Sequence, residues 1–328
     1  MDLSKNYLRP ISIVLTCLLI FGNSFSQSVF EKYEKKNIQN NRVRSKTQFV
    51  HEYSNGKFSA SGYMSFVTKY DKSGNILEEI SYRASGQISY KRNYEYDSKG
   101  NLIEYQNFDG SRNKITYKKL IKYNETGGKM IEAGFDGVDR FNNKYGYDEN
   151  GRIKEIKYYI SNNLIEKRKI IYDGRKQKII VYKPNNTITE VQEKKYDFNG
   201  NLIEDILYSS LGKENRRISY KYDNKGNLIE ESKFYSGNLS ITTKNIYGSN
   251  NSLLEVINLE PDGNSYSANK YSYDSTGKLL EESWFDKMTK KYSNKKYKYD
   301  SRGNFKEVYC YYAPYNFNEY LKFTYDFY

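Results

Sequence analysis

A tyrosine followed by aspartate, or by a close substitute, returns along almost the whole chain. It stands at Tyr70-Asp71, Tyr96-Asp97, Tyr123-Asn124, Tyr147-Asp148, Tyr172-Asp173 and Tyr196-Asp197. It continues at Tyr222-Asp223, Tyr247-Gly248, Tyr273-Asp274, Tyr299-Asp300 and Tyr325-Asp326. Successive tyrosines are 24 to 27 residues apart, most often 26. A fixed period of this size marks a repeat architecture, in which each unit is too small to bury its own apolar surface and must pack on its neighbours. The fold therefore has to be built from one short unit repeated, whatever else the chain does.

The spacing inside the unit identifies a turn. Glycine follows the tyrosine by four residues at Gly74, Gly100, Gly127, Gly151, Gly200, Gly226, Gly277 and Gly303, and Asn-Leu-Ile-Glu or a relative comes next, as in Asn101 to Glu104 and Asn227 to Glu230. Asp-x-x-Gly suits a type I turn with Asp at its first position and a left-handed Gly at its last, the loop of a common bulged hairpin. Asp71, Asp97, Asp148, Asp197, Asp223, Asp274 and Asp300, each with its glycine, are thus read as structural turn residues. Asn251 replaces Gly after Tyr247, and Asp173-Gly174 suits a tighter two-residue turn.

Halfway through each period lies a second turn signal, at Ser85-Gly86, Asp109-Gly110, Asp136-Gly137, Asn162-Asn163, Ser236-Gly237 and Pro261-Asp262-Gly263. Pro184, Pro261 and Pro314 fall at these midpoints, where no ladder donor is required. Each period then holds two strands, and the chain is expected to be all-β: tandem antiparallel β-hairpin repeats with a period of about 26 residues, forming about twenty strands. Open sheets of that size curl, so a long coiled or spiral meander is expected. Closing the hairpin at Asp97 and Asn101 sets Tyr96 opposite Leu102 and Tyr94 opposite Glu104. The Tyr/Leu face is read as the inner side.

Composition supports a folded chain. Mean hydropathy is −0.91, but 37 Tyr and 16 Phe are far more aromatic surface than a disordered segment carries. Lys5 and Arg9 precede the apolar run Ile11 to Phe21 and the small-x-small pattern Ser24-Phe25-Ser26. That order describes a secretory signal peptide over residues 1–26, too short in its apolar part for a membrane span. Residues 27–50, charged and Asn-rich, are expected to be a flexible or weakly structured lead-in. Residues 51–328 form the repeat domain, with Tyr53 to Gly56 as a degenerate hairpin covering the first sheet edge and no further domain expected. Cleavage leaves Cys310 as the one cysteine, so no internal disulfide is available. The formal charge of +13 falls to about +12 without Asp2, Lys5 and Arg9.

The run Tyr-Asp-x-x-Gly-Asn-Leu-Ile-Glu, as at Tyr222 to Glu230, resembles the YD (Rhs-type) repeats of bacterial secreted and surface proteins. The resemblance covers roughly residues 50–328 and describes a short member without a toxin domain. It implies a hairpin spiral and an exported product at the cell envelope, outside the cell or in the periplasm. In long members the spiral forms a shell around a toxin, and members are described as carbohydrate-binding or as mediators of cell contact.

Catalysis has little to work with: one His, His51, and one cysteine after cleavage give no Ser-His-Asp or Cys-His set, and the recurrent Asp residues serve the turns. No enzyme activity, cofactor or metal site is expected. The binding candidates are Tyr96, Tyr147, Tyr196, Tyr222, Tyr273 and Tyr299, with Lys195, Lys221 and Lys298 just before three of them. Equivalent residues of adjacent repeats should stand two strands apart, about 10 Å, so a Tyr/Lys-lined face could follow an extended polysaccharide. A secreted or envelope-associated binding or structural module for glycan or a cell-surface protein is the leading reading. An accessory part in a contact-dependent toxin system comes second and a polysaccharide hydrolase third. Export argues against nucleic acid as a partner. An outer-membrane barrel is disfavoured because Thr289 to Tyr299 puts lysines on both strand faces, at about 2–4 kcal/mol for each one in a bilayer midplane.

Overall fold

A computed structural model describes residues 33–328 apart from positions 55 and 288. The expected leader, with Lys5, Arg9 and Cys17, lies outside the described residues. Most of the Asp turns are built in one way. At the hairpin of Ile88–Tyr96 and Leu102–Asp109, Asp97 N–H donates to Asn101 O (2.9 Å) and Gly100 N–H to Asp97 O (3.0 Å). The Asp97 carboxylate accepts from Lys99 N (2.9 Å), Asn101 N (2.8 Å) and Asn101 Nδ2 (2.9 Å). The asparagine of Asn-Leu-Ile-Glu is therefore part of the turn. Gly100 has φ +82°, the left-handed region that explains the glycine. At Asp173, which pairs with Lys176, the turn shortens to two residues.

Cross-strand register adds a bulge the sequence reading lacked. Tyr96 pairs with Leu102, but Glu95 pairs with Glu104, so Ile103 is an extra residue and Tyr94 stands opposite Tyr105 rather than Glu104. The same shift precedes Tyr70, Tyr123, Tyr147, Tyr196, Tyr222, Tyr247, Tyr273 and Tyr299. Many midpoint turns carry a second one, before Tyr82, Phe108, Tyr159, Tyr182, Tyr208, Phe234 and Leu259. A bulge bends its strand and increases local twist. Repeated in nearly every hairpin, it curves the whole sheet.

That curvature closes. The sheet is a ring of 22 antiparallel strands, not the open coiled meander expected from the repeats. The strand Val43–His51 completes it, pairing on one side with Phe317–Phe327 and on the other with Tyr63–Tyr70. The expectation for residues 27–50 needs the matching correction: residues 33–40 are helical and Val43–His51 is a strand of the ring. Closure removes the two free edges an open sheet would present.

The helix at 33–40 straddles the seam. Gln39 Nε2 donates to Ser73 O (2.8 Å) in the Asp71 turn. Tyr33 Oη (3.2 Å) and Asn37 Nδ2 (2.5 Å) donate to Gly303 O in the Asp300 turn. Ile38, Val43 and Tyr70 make a buried cluster there with Ile76, Tyr325 and Phe327, and half-buried Lys46 pairs with Glu34 (2.5 Å). The short hairpin Tyr53–Ser54 with Lys57–Phe58 does form. It covers no edge, since none is left; Phe58 instead packs on the rings of Tyr309 and Tyr320.

Alternation along the strands gives two chemically distinct faces. The Tyr/Leu face carries the principal apolar clusters. One joins Tyr297, Phe305, Val308 and Cys310 to Leu279, Tyr299, Leu321 and Phe323; the next joins Leu253, Val256 and Tyr271 to Tyr247, Tyr273 and Leu279. Several polar groups on this face find partners there: Tyr94 Oη donates to Glu79 (2.6 Å), Tyr145 to Glu132 (2.6 Å) and Tyr297 to Glu282 (2.7 Å). Charged residues stand on both faces of the described strands. Among the described residues no helix is long and apolar enough to cross a membrane.

Candidate binding face

The repeat tyrosines have a definite structural task. Most of them reach back to the previous repeat and donate the hydroxyl to a backbone carbonyl beside the bulge. Tyr96 bonds to Ile76 O (3.0 Å), Tyr147 to Lys129 O (2.7 Å), Tyr222 to Leu202 O (2.8 Å), Tyr273 to Leu253 O (2.8 Å) and Tyr299 to Leu279 O (2.7 Å). Tyr196 instead donates to Gln177 Oε1 (3.3 Å). Desolvation pushes the Tyr247 and Tyr273 phenols up to about 12. These rings lock neighbouring repeats together, and their polar ends are already engaged.

Lys195, Lys221 and Lys298 point the other way. Being adjacent in sequence to Tyr196, Tyr222 and Tyr299, they lie on the opposite side of the sheet. A surface shared by these tyrosines and these lysines is therefore ruled out by strand alternation. The three lysines are opposed by carboxylates: Lys195 pairs with Glu204, Lys221 with Glu230 (2.8 Å) and Lys298 with Glu307 (3.0 Å). Register sets Glu230 between Lys221 and Lys244 and Glu307 between Lys298 and Lys322, whereas Glu204 lies between Lys195 and Ser219 and Glu104 between Glu95 and Leu120. Opposite charges meet at several points on this face, each exposed pair contributing little by itself.

The same face carries a second aromatic series that the sequence reading missed. Its members are Tyr82, Phe108, Phe135, Tyr159, Tyr182, Tyr208, Phe234, Phe285 and Tyr311, with Leu259 standing in place of a ring, at spacings of 23 to 27 residues. The signal was available: each stands one residue ahead of the midpoint turn. It was hidden because the Tyr-Asp pair dominates the pattern and this series mixes Tyr with Phe. These side chains are half-buried. Among the described residues the hydroxyls of Tyr82, Tyr159, Tyr182, Tyr208 and Tyr311 serve no backbone carbonyl. Cations lie over several of the rings: Lys144 is 5.2 Å from the centroid of Tyr159, Lys167 5.0 Å from Tyr182 and Arg217 4.2 Å from Phe234. A face on which aromatics and cations do meet thus exists, on other residues than those expected.

At the Asp-turn end of this face the bulge residues Leu77, Met130, Leu254 and Leu280, with Ile203 and Ile229, are exposed and form an apolar rim. The two candidate nucleophile-chemistry residues are spent elsewhere. Burial raises the Cys310 thiol to about 12, and buried His51 is bonded through Nδ1 to Ser59 O (2.8 Å).

No family model matches the chain, and no curated protein does. Among solved structures it is similar to a TcdB2–TccC3–Cdc42 complex, at 15% identity over 78% of this chain and 19% of that one, TM-score 0.27. It is similar to a Tc holotoxin pore from Photorhabdus luminescens at 13% identity over 78% and 19%, TM-score 0.28. A porin-like protein from Bacteroides uniformis matches at 8% identity over 87% of this chain and 97% of that one, TM-score 0.29. The chain spans about a fifth of the length (19%) of the toxin chains it matches. Likeness at this level carries no functional argument, so the resemblance to YD repeats rests on the residues themselves.

Proposed function

We propose that this chain is an exported, non-enzymatic binding and structural module of the cell envelope, and that it holds polysaccharide against the second aromatic series. The observation that carries the reading is the division of labour between the two series. One tyrosine per repeat is committed to the inter-repeat hydrogen bond, while a second aromatic on the opposite face has no such duty. Consecutive members of that second series stand two strands apart, about 10 Å, and half-exposed rings at a regular spacing suit stacking on successive sugar units. Aromatic side chains supply large contact area at low entropic cost, the usual basis of such recognition.

A panel of neutral linear glucans, measured by titration calorimetry with the purified chain, tests this. Replacing Tyr159, Tyr182 and Tyr208 together by Ala is expected to weaken binding about tenfold or more, at about 1.4 kcal/mol per decade. The same affinity in the triple variant, or no glycan bound by the unaltered chain, contradicts it. The apolar rim of bulge residues favours a second reading, a cell-surface protein docked at the Asp-turn end.

A further inference from the structure

One stretch of the charged face gathers charge of a single sign. Lys144 stands directly opposite Lys157, and Lys157 directly opposite Lys167, three lysines in a row across three adjacent strands. Lys122 extends the row by way of Ile131, which occupies the position that other repeats give to glutamate. Like charges set directly opposite destabilise a sheet; elsewhere among the described residues of this face they meet two at a time, as at Glu95 with Glu104 and at Lys176 with Lys195, the latter relieved by the ion pair of Lys195 with Glu204. The relief available inside the chain is small. Lys157 has one carboxylate, Glu155 (2.8 Å), and Lys167 donates to the neutral Asn186 amide oxygen (2.8 Å). Lys144 is exposed and lies over Tyr159; Lys167 lies over Tyr182.

We infer that this row is a subsite for an extended anionic polysaccharide, its carboxylate or sulfate groups seated on Lys144, Lys157 and Lys167 and its rings against Tyr159 and Tyr182. From Lys144 to Lys167 is two strand steps, about 10 Å, and from Lys122 about 19 Å, a linear track suited to a charged chain rather than a single small anion. Basic residues beside aromatics also suit single-stranded nucleic acid. The leader-like N-terminus favours the polymer met outside the cell. The inference rests on the glycan-binding reading and adds to it the sign of the ligand and the place where that sign is read.

The test compares alginate, dextran sulfate, neutral dextran, inorganic sulfate and oligo(dT) as ligands of the purified chain at fixed moderate salt. Alginate or dextran sulfate is expected to bind about tenfold tighter than neutral dextran. The Lys144→Gln, Lys157→Gln, Lys167→Gln variant should lose that preference and have a Tm equal to or above that of the parent, because repulsion is removed. A control variant with Lys195, Lys221 and Lys298 changed to Gln removes the same charge from ion-paired sites and should keep the preference. Equal loss in both variants, tighter binding of oligo(dT) or sulfate than of the polysaccharides, or an unchanged preference in the row variant would overturn the inference. Neutral glycan binding that depends on the aromatics, with no effect of the lysine row, would sink the subsite while leaving the glycan reading intact.

Discussion

Gly226 has φ +82°, with open space where a Cβ would go. The obstacle to a side chain there is the backbone conformation alone, at about 1–2 kcal/mol for a non-glycine residue and more for a β-branched one. Gly226→Val is therefore expected to lower the Tm by roughly 2–6 °C. Lys225→Ala, next to it, removes an exposed side chain whose Nζ donates to Ser249 O (3.3 Å) and should stay within about 0.5 kcal/mol of the parent. Thermal unfolding followed by circular dichroism checks both, and equal shifts would contradict the turn. At this scale the sequence was most legible, because Asp-x-x-Gly names its own geometry. It misled by one residue where the ladder is irregular: Tyr94 faces Tyr105 because Ile103 bulges, and a bulge leaves no mark on a period counted from tyrosine to tyrosine.

Between elements, the tyrosine hydroxyls join one hairpin to the next. A phenol that donates to a backbone carbonyl can do so only when protonated, and burial raises the folded value of Tyr247 and Tyr273 to about 12 from an ordinary value of 10.0. A raised folded value means that the contribution is complete below pH 10 and is lost as pH rises through 12. Alkaline titration should therefore show exposed phenols ionising near the ordinary value and the ladder ionising later, together with loss of sheet. Tyrosinate absorbance recorded alongside circular dichroism measures this. All tyrosines ionising in one step near the ordinary value, with the sheet intact, would contradict the ladder. The binding candidates show the limit of reading residues by periodicity alone. Tyr196 and Lys195 share a period but not a face, while Tyr159, Tyr182 and Phe234, one residue ahead of less uniform turns, share a face with the cations.

At the scale of the molecule, repetition fixed the hairpins but not their closure. The strand Val43–His51 has no Tyr-Asp pair, follows an Asn-rich helix at 33–40, and looks like a lead-in by composition. Its place is decided by what it pairs with, residues far away in sequence. Curvature comes from bulges spread over most hairpins, none of which announces a ring by itself. The ring in turn puts the two faces to different uses, one packed with the tyrosine ladder and one bearing the aromatic and basic groups. Closure is thus the claim on which the arrangement depends. Thr47 is the register partner of Thr324 on one side and of Val67 on the other. Two double variants, Thr47→Cys with Thr324→Cys and Thr47→Cys with Val67→Cys, examined by non-reducing electrophoresis and mass analysis, test it directly. A closed ring gives an internal disulfide in both, in a chain that stays monomeric. An open spiral bridges Thr47→Cys to Thr324→Cys only between molecules, and that result would contradict the account.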